Sequence, residues 1–100
     1  MPGLVNGHTH SAMTLLRGAS DDDGFMPWLA AVQGLEQHLT HADVAAGLEL
    51  AMVEMIASGT TTFADMYHWD EPLLRLVQAS GMRVLAAPAA FTADAVGVPG

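Results

Sequence analysis

Cysteine and lysine are both absent from this 100-residue chain. Without cysteine there is neither a disulfide framework nor a thiolate metal site, so any metal must be held by nitrogen and oxygen ligands. Positive charge is scarce: 3 arginines stand against 11 acidic residues, a formal charge of -8. No cationic patch is available to neutralise phosphates, which argues against nucleic acid and anionic membrane surfaces as partners. No uncharged apolar run reaches the ~20 residues that a membrane span needs. The opening Met1-Pro2-Gly3-Leu4-Val5 has neither the basic start nor the apolar stretch of a signal peptide, so a cytoplasmic setting is expected. Internal repeats, low-complexity segments and linkers are also missing.

What the chain does have is apolar surface. Hydrophobic residues make up 51% and the mean hydropathy is +0.31, high for a small domain with a large ratio of surface to volume. Length suggests one domain, and the hydropathy implies more protein to bury against.

The order of elements suggests how that domain is built. Leu4 to His10, bounded by Pro2-Gly3, suits a short strand. Residues 11–40 form a long mixed stretch, with a turn signal at Asp21-Asp22-Asp23-Gly24 and a short helix starting near Pro27-Trp28-Leu29. Thr40-His41-Ala42-Asp43 reads as an N-cap with a carboxylate at the third helical position. Val44, Leu48, Met52, Met55 and Ile56 follow at helical spacing, the methionines as core, and Gly59 ends the helix. Thr60 to Tyr67 is β-branched and aromatic and predicts a second strand. Glu71-Pro72 opens a helix carrying Leu73, Leu74, Leu76 and Val77, closed by Gly81, and Met82 to Ala87 is a third strand. Strands joined by helical crossovers make a parallel α/β layout. A doubly wound sheet and a (β/α)8 barrel both begin this way.

Two histidines carry the clearest chemical signal. His8 and His10 are two apart on the predicted strand, so their imidazoles share a face and can reach one ion. They lie near the carboxyl end of the strand, where α/β folds gather their active sites. A pair is only half of a tetrahedral site, and a chance surface pair stays open on spacing alone.

The residues around the pair narrow the choice. Through Pro2-Gly3-Leu4-Val5-Asn6-Gly7-His8-Thr9-His10 and Met13-Thr14-Leu15-Leu16-Arg17-Gly18, the chain resembles the amidohydrolase superfamily. The likeness is to the branch that holds S-adenosylhomocysteine and 5'-methylthioadenosine deaminases and the triazine chlorohydrolases. It continues through Trp28-Leu29, Leu39-Thr40, Ser58-Gly59-Thr60-Thr61-Thr62-Phe63-Ala64-Asp65-Met66-Tyr67 and Gly81-Met82-Arg83, covering about residues 2–87. The resemblance implies that residues 1–100 are about three β/α units at the start of a TIM (β/α)8 barrel domain, truncated at both ends relative to the family. It also implies that His8 and His10 bind a divalent metal, zinc first and iron second. Family members complete the ligand set with histidines after the fifth and sixth strands and an aspartate after the eighth, and a glutamate shuttles the proton. Those positions fall beyond residue 100, so the isolated chain is expected to be inactive.

Substrate contacts are expected on the long first connection, since such loops commonly serve as lids or binding loops. By resemblance, Glu36, just before Leu39-Thr40, matches the carboxylate that holds a substrate ribose; the alternative is a solvated glutamate at a helix start. Trp28 suits either the wall of a pocket for a planar heterocycle or simple packing. His68, at the end of the second strand, is a further pocket candidate. His38 and His41 read as solvent-facing, Asp65 as a structural hydrogen-bonding group, and Arg17 as a partner for a carboxylate among Asp21 to Asp23.

The function implied is hydrolytic deamination of an adenosine-type or related heterocycle by metal-activated water, with a small-molecule substrate and a homo-oligomeric full-length protein. Triazine-type chlorohydrolase and guanine-type deaminase chemistry share the frame. From a different class, a non-catalytic α/β remnant that binds metal or a partner is the rival.

Overall fold

The computed structural model describes residues 2–18 and 24–88. The expected turn at Asp21 to Asp23 and the tail after Pro88 lie outside the described residues. In chain order the elements are β1 (Leu4–Thr9), a short 3-10 helix (Ser11–Leu16), α1 (Phe25–Glu36), α2 (His41–Ala57), β2 (Thr60–Tyr67), α3 (Glu71–Ser80) and β3 (Arg83–Pro88). The strands form one parallel sheet in the order β1-β2-β3. The expected α/β layout is therefore present.

Local chemistry sets most of the boundaries. The Thr40 hydroxyl accepts from the Asp43 amide at 3.1 Å and the Asp43 carboxylate accepts from the Thr40 amide at 2.9 Å, a reciprocal capping box that starts α2. Those hydrogen bonds hold the Asp43 carboxyl below its ordinary range. The cap is therefore complete above the usual carboxylate pKa and weakens as pH falls through the depressed value. Asp70 caps α3 by accepting from the Leu73 amide at 3.0 Å, and its other oxygen meets His41 Nε2 at 2.8 Å. Gly81 ends α3 with φ 81°, a left-handed turn that favours glycine.

One mutation separates the two roles of Asp70. Asp70→Ala is expected to lower stability by about 1 kcal/mol through loss of the cap. His41→Ala, which breaks only an exposed pair, is expected to cost well under about 1 kcal/mol. Urea denaturation of both variants checks the difference.

Several boundaries depart from expectation. β1 stops at Thr9, which leaves His10 as the residue that caps the 3-10 helix. α1 begins at Phe25 rather than near Pro27: the Trp28 amide already bonds the Gly24 carbonyl at 2.9 Å, and Pro27 sits in the first turn, where no N–H is needed. The stretch from residue 11 to 40 is thus largely helical where it is described. β3 starts one residue late because Met82 turns inward, buried, with its amide on Ser80 Oγ.

The core lies on one face of the sheet. Phe63 is fully buried, and Leu48 and Met52 of α2, Leu73 and Val77 of α3, and Met82 close around it. Val44, Met55 and Leu76 pack at the margin. Ile56 and Leu74, though apolar members of the same helical runs, point outward, 51% and 42% exposed; each lies off the stripe that meets Phe63. The opposite face of the sheet is open and apolar: Val5 and Leu85 are 71% and 72% exposed. Parallel sheets are normally covered on both faces, so this face accounts for part of the apolar excess read from composition; the rest lies exposed on the helices, at Phe25, Met26, Val53 and Ile56 among others.

Candidate metal centre at the end of the first strand

His8 projects over the open face beside Ala64, Met66, Leu85 and Ala87. His10 follows one residue beyond the strand, half-buried, and the two rings meet edge to face with centroids 5.0 Å apart. His10 Nδ1 lies 2.6 Å from the Met66 carbonyl oxygen. A carbonyl can only accept, so Nδ1 carries the proton and the Nε2 lone pair is left for another partner. A backbone carbonyl on the far nitrogen is the usual way to orient a metal-binding imidazole. Two imidazoles suit the nitrogen-rich donor set that composition demands, but they supply half of a tetrahedral site. Among the described residues no three His, Asp or Glu side chains converge as a complete ligand set.

The chain just after His10 is held on two sides. From β2, the buried Asp65 carboxylate accepts the Ser11 amide at 2.6 Å and the Trp69 indole N–H at 2.8 Å. The reading of Asp65 as a structural hydrogen-bonding group therefore holds. From α2, Gly47 lets the 3-10 helix approach so closely that a Cβ there would sit 2.4 Å from the Ala12 carbonyl oxygen. Gly47→Ala is accordingly expected to force backbone movement and cost about 1–3 kcal/mol. A urea midpoint shift without a change in slope checks it.

Arg17 meets a carboxylate on another element. Its guanidinium forks onto Glu54 of α2, at 3.0 and 2.5 Å, while Asp21 to Asp23 lie outside the described residues. Each partner favours the other's charged form: the Glu54 carboxyl is held below its usual range and the arginine is raised. The pair is exposed, so its use is to pin the end of the 3-10 helix rather than to stabilise the fold greatly.

The remaining candidates separate clearly. Glu36 is the last residue of α1, not the start of a helix, and it is half-buried. Burial pushes its carboxyl above the ordinary range, while the nearby His68 and His10 imidazoles and the Tyr67 hydroxyl act the other way. The fold thus brings Glu36 to the His10 side of the pair. His68 is exposed, with its ring 4.7 Å from that of Tyr67. Trp28 lies on α1, half-buried, with Phe25 as its aromatic neighbour at 5.9 Å. His38 and His41 are both exposed, as expected.

Sequence reasoning missed Tyr67. Its hydroxyl is buried without a hydrogen bond of full geometry, and burial, with Glu36 and Asp65 nearby, pushes its pKa up. The signal was available: Phe63, Asp65 and Tyr67 alternate along β2, and all three are buried.

Parallel strands joined by helices, with paired imidazoles at the carboxyl end of the first, define an α/β protein of the kind that commonly gathers its site at the strand ends. The chain belongs to the amidohydrolase family, which residues 1–96 match. It is 52% identical over 88 residues to a protein of Syntrophomonas wolfei named 5-methylthioadenosine/S-adenosylhomocysteine deaminase, covering 87% of this chain and 20% of the relative. A protein of the same name from Haloarcula marismortui is 51% identical over 98 residues, covering 97% and 22%. A 5'-deoxyadenosine deaminase of Methanospirillum hungatei is 51% identical over 86 residues, covering 85% and 19%. The chain spans about a fifth of the length of these curated relatives. Among the described residues no helix is long and apolar enough to cross a membrane.

Proposed function

We propose that the full-length protein deaminates an adenosine-type nucleoside by hydrolysis, and that residues 1–100 are the first part, about three β/α units, of a (β/α)8 barrel. His8 and His10 are two ligands of a divalent cation in this reading. The observation that carries it is the edge-to-face pair at the carboxyl end of β1, with His10 turned by the Met66 carbonyl so that Nε2 is free. Zinc suits such a nitrogen and oxygen set best, with iron next. When bound, a divalent cation supplies the Lewis acidity that makes water a usable nucleophile near neutral pH. Water oxygen bonds to the ring carbon, one of its protons passes to the ring nitrogen and the other to the amino group, the carbon–nitrogen bond breaks, and ammonia leaves.

The names of the relatives support the substrate class. 5'-Methylthioadenosine, S-adenosylhomocysteine and 5'-deoxyadenosine share an adenine on a ribose with vicinal hydroxyls. A carboxylate accepts both of those hydrogens at once, and Glu36, near enough to His10 for that imidazole to act on its carboxyl, is read as this acceptor. His68, whose imidazole acts on the Glu36 carboxyl, and Trp28 are read as lesser pocket contacts. The full-length protein is assayed for ammonia release from 5'-methylthioadenosine, S-adenosylhomocysteine and 5'-deoxyadenosine, with guanine and a chlorotriazine as controls. Turnover of the adenosine compounds is expected; turnover of a control alone overturns the reading.

Glu36→Gln tests the ribose contact. A hydrogen bond to a charged group is worth about 1.5–3 kcal/mol, so KM is expected to rise about tenfold or more. A 2',3'-dideoxy substrate is expected to show no further loss. The same variant is expected to fold more stably near neutral pH. A carboxyl whose folded pKa is raised contributes stability below its unfolded pKa and loses it as pH rises through the folded value. Gln removes that charge, and denaturation at pH 5 and pH 8 reads the difference.

A further inference from the structure

The histidine at position 10 occupies a helix N-cap without acting as one. N-cap side chains normally satisfy a free amide of the first turn, yet the His10 ring makes no such bond. Instead its Nδ1 is spent on the Met66 carbonyl. The Ser11 amide, first in the 3-10 helix, is satisfied from another strand by Asp65 Oδ1 at 2.6 Å. Consecutive residues of β2 thus hold consecutive residues of the chain: Asp65 takes Ser11 and Met66 takes His10.

Asp65 is itself fixed. It is only 3% exposed, and a buried carboxylate needs hydrogen bonds to both oxygens. The second is filled by the Trp69 indole N–H at 2.8 Å, from the turn between β2 and α3. The Trp69 ring packs against the core formed by α2 and α3, which gives the indole a rigid base.

We propose that Asp65 and Trp69 are positioning residues for the metal pair: a relay from the Trp69 indole through the Asp65 carboxylate to the Ser11 amide supplies the cap that His10 cannot give, and so frees and aims the His10 ring. The proposal rests on the reading of His8 and His10 as metal ligands. Metal sites demand placement of ligands within about 0.5 Å, and loss of a supporting partner commonly costs about 10–100-fold in metal affinity. The relay therefore has its effect on affinity rather than on the ligand set.

The test uses the full-length protein and two variants. Trp69→Phe keeps the ring in the core and removes only the N–H; Asp65→Asn removes the charge. Zinc affinity is measured by competition with a chelator, and amide exchange at Ser11 is followed in the metal-free protein. A fall of about 10–100-fold in zinc affinity for Trp69→Phe, with faster Ser11 exchange and an unchanged far-UV spectrum, is the expected result. Wild-type zinc affinity in Trp69→Phe overturns the relay, whether or not Asp65→Asn folds. His8→Ala/His10→Ala is run beside them. If that double variant still binds zinc as the wild type does, the ligand reading itself has failed, and the relay with it.

Discussion

Replacing His8 and His10 together with alanine is expected to abolish divalent metal binding by the full-length protein. The loss should exceed the about 10–100-fold that removal of a supporting partner costs, since the variant deletes two donors outright. The single variants should not be equal. His8 is exposed and its backbone amide makes the 3.2 Å bond to Asn6 that would survive in His8→Ala. His10→Ala also breaks the link to the Met66 carbonyl, so it should loosen the junction between β1 and β2 as well as remove a ligand. Calorimetry with zinc reads the affinity, and metal content after purification reads occupancy. Zinc binding that survives in the double variant would refute the role given to the pair. In metal-free protein, His8→Ala should move stability by no more than about 0.5 kcal/mol, as for other exposed positions.

The largest effect on stability is expected at Phe63. Its side chain is fully buried where α2 and α3 meet the sheet, with Leu48, Met52, Leu73, Val77 and Met82 around it. Truncation to alanine leaves a cavity that neighbours from α2, α3 and the turn before β3 cannot all collapse to fill, and the cost should be about 3–5 kcal/mol. Leu48→Ala should cost about 2–5 kcal/mol by the same argument. Both are large against the about 5–15 kcal/mol that a typical domain holds in total. Urea unfolding followed by tryptophan fluorescence and far-UV dichroism measures both. A loss below about 1 kcal/mol for Phe63→Ala would mean that the core is centred elsewhere.

The parts of this fold that were legible in the sequence are those fixed by near neighbours. The Thr40–Asp43 box, the run of β-branched residues after Gly59 and the Gly81 stop each involve residues a few positions apart, and each fell where expected. The His8–His10 pair was legible as a spacing, but His10 lies beyond the end of β1, and its ring is aimed by the distant Met66 carbonyl rather than by strand alternation. What was hidden joins distant positions. Arg17 finds Glu54, 37 residues away; Ser11 finds Asp65 and His10 finds Met66, 54 and 56 residues away. No local pattern distinguishes Glu54 from the nearer acids at Asp21 to Asp23. Ile56 shares the helical spacing yet is exposed, because spacing identifies a stripe but not its width. Glu36 was placed by resemblance, while its burial and its neighbours came only from the fold.

The pairing order of the strands bears on how this region assembles in time. β2 and β3 meet through a short crossover, with Thr62 beside Arg83, whereas β1 pairs Leu4 with Thr60 across most of the chain. Closing the longer loop costs about 1 kcal/mol more in chain entropy, and long-range parallel pairing is slow. The β2–α3–β3 segment is therefore expected to form first and present a finished edge, with Asp65 and the Met66 carbonyl already in place. β1 then docks late onto that edge, and the two imidazoles come together only in the closing step. Among the described strands, the one with the histidines is thus the last to fold and the first to fray.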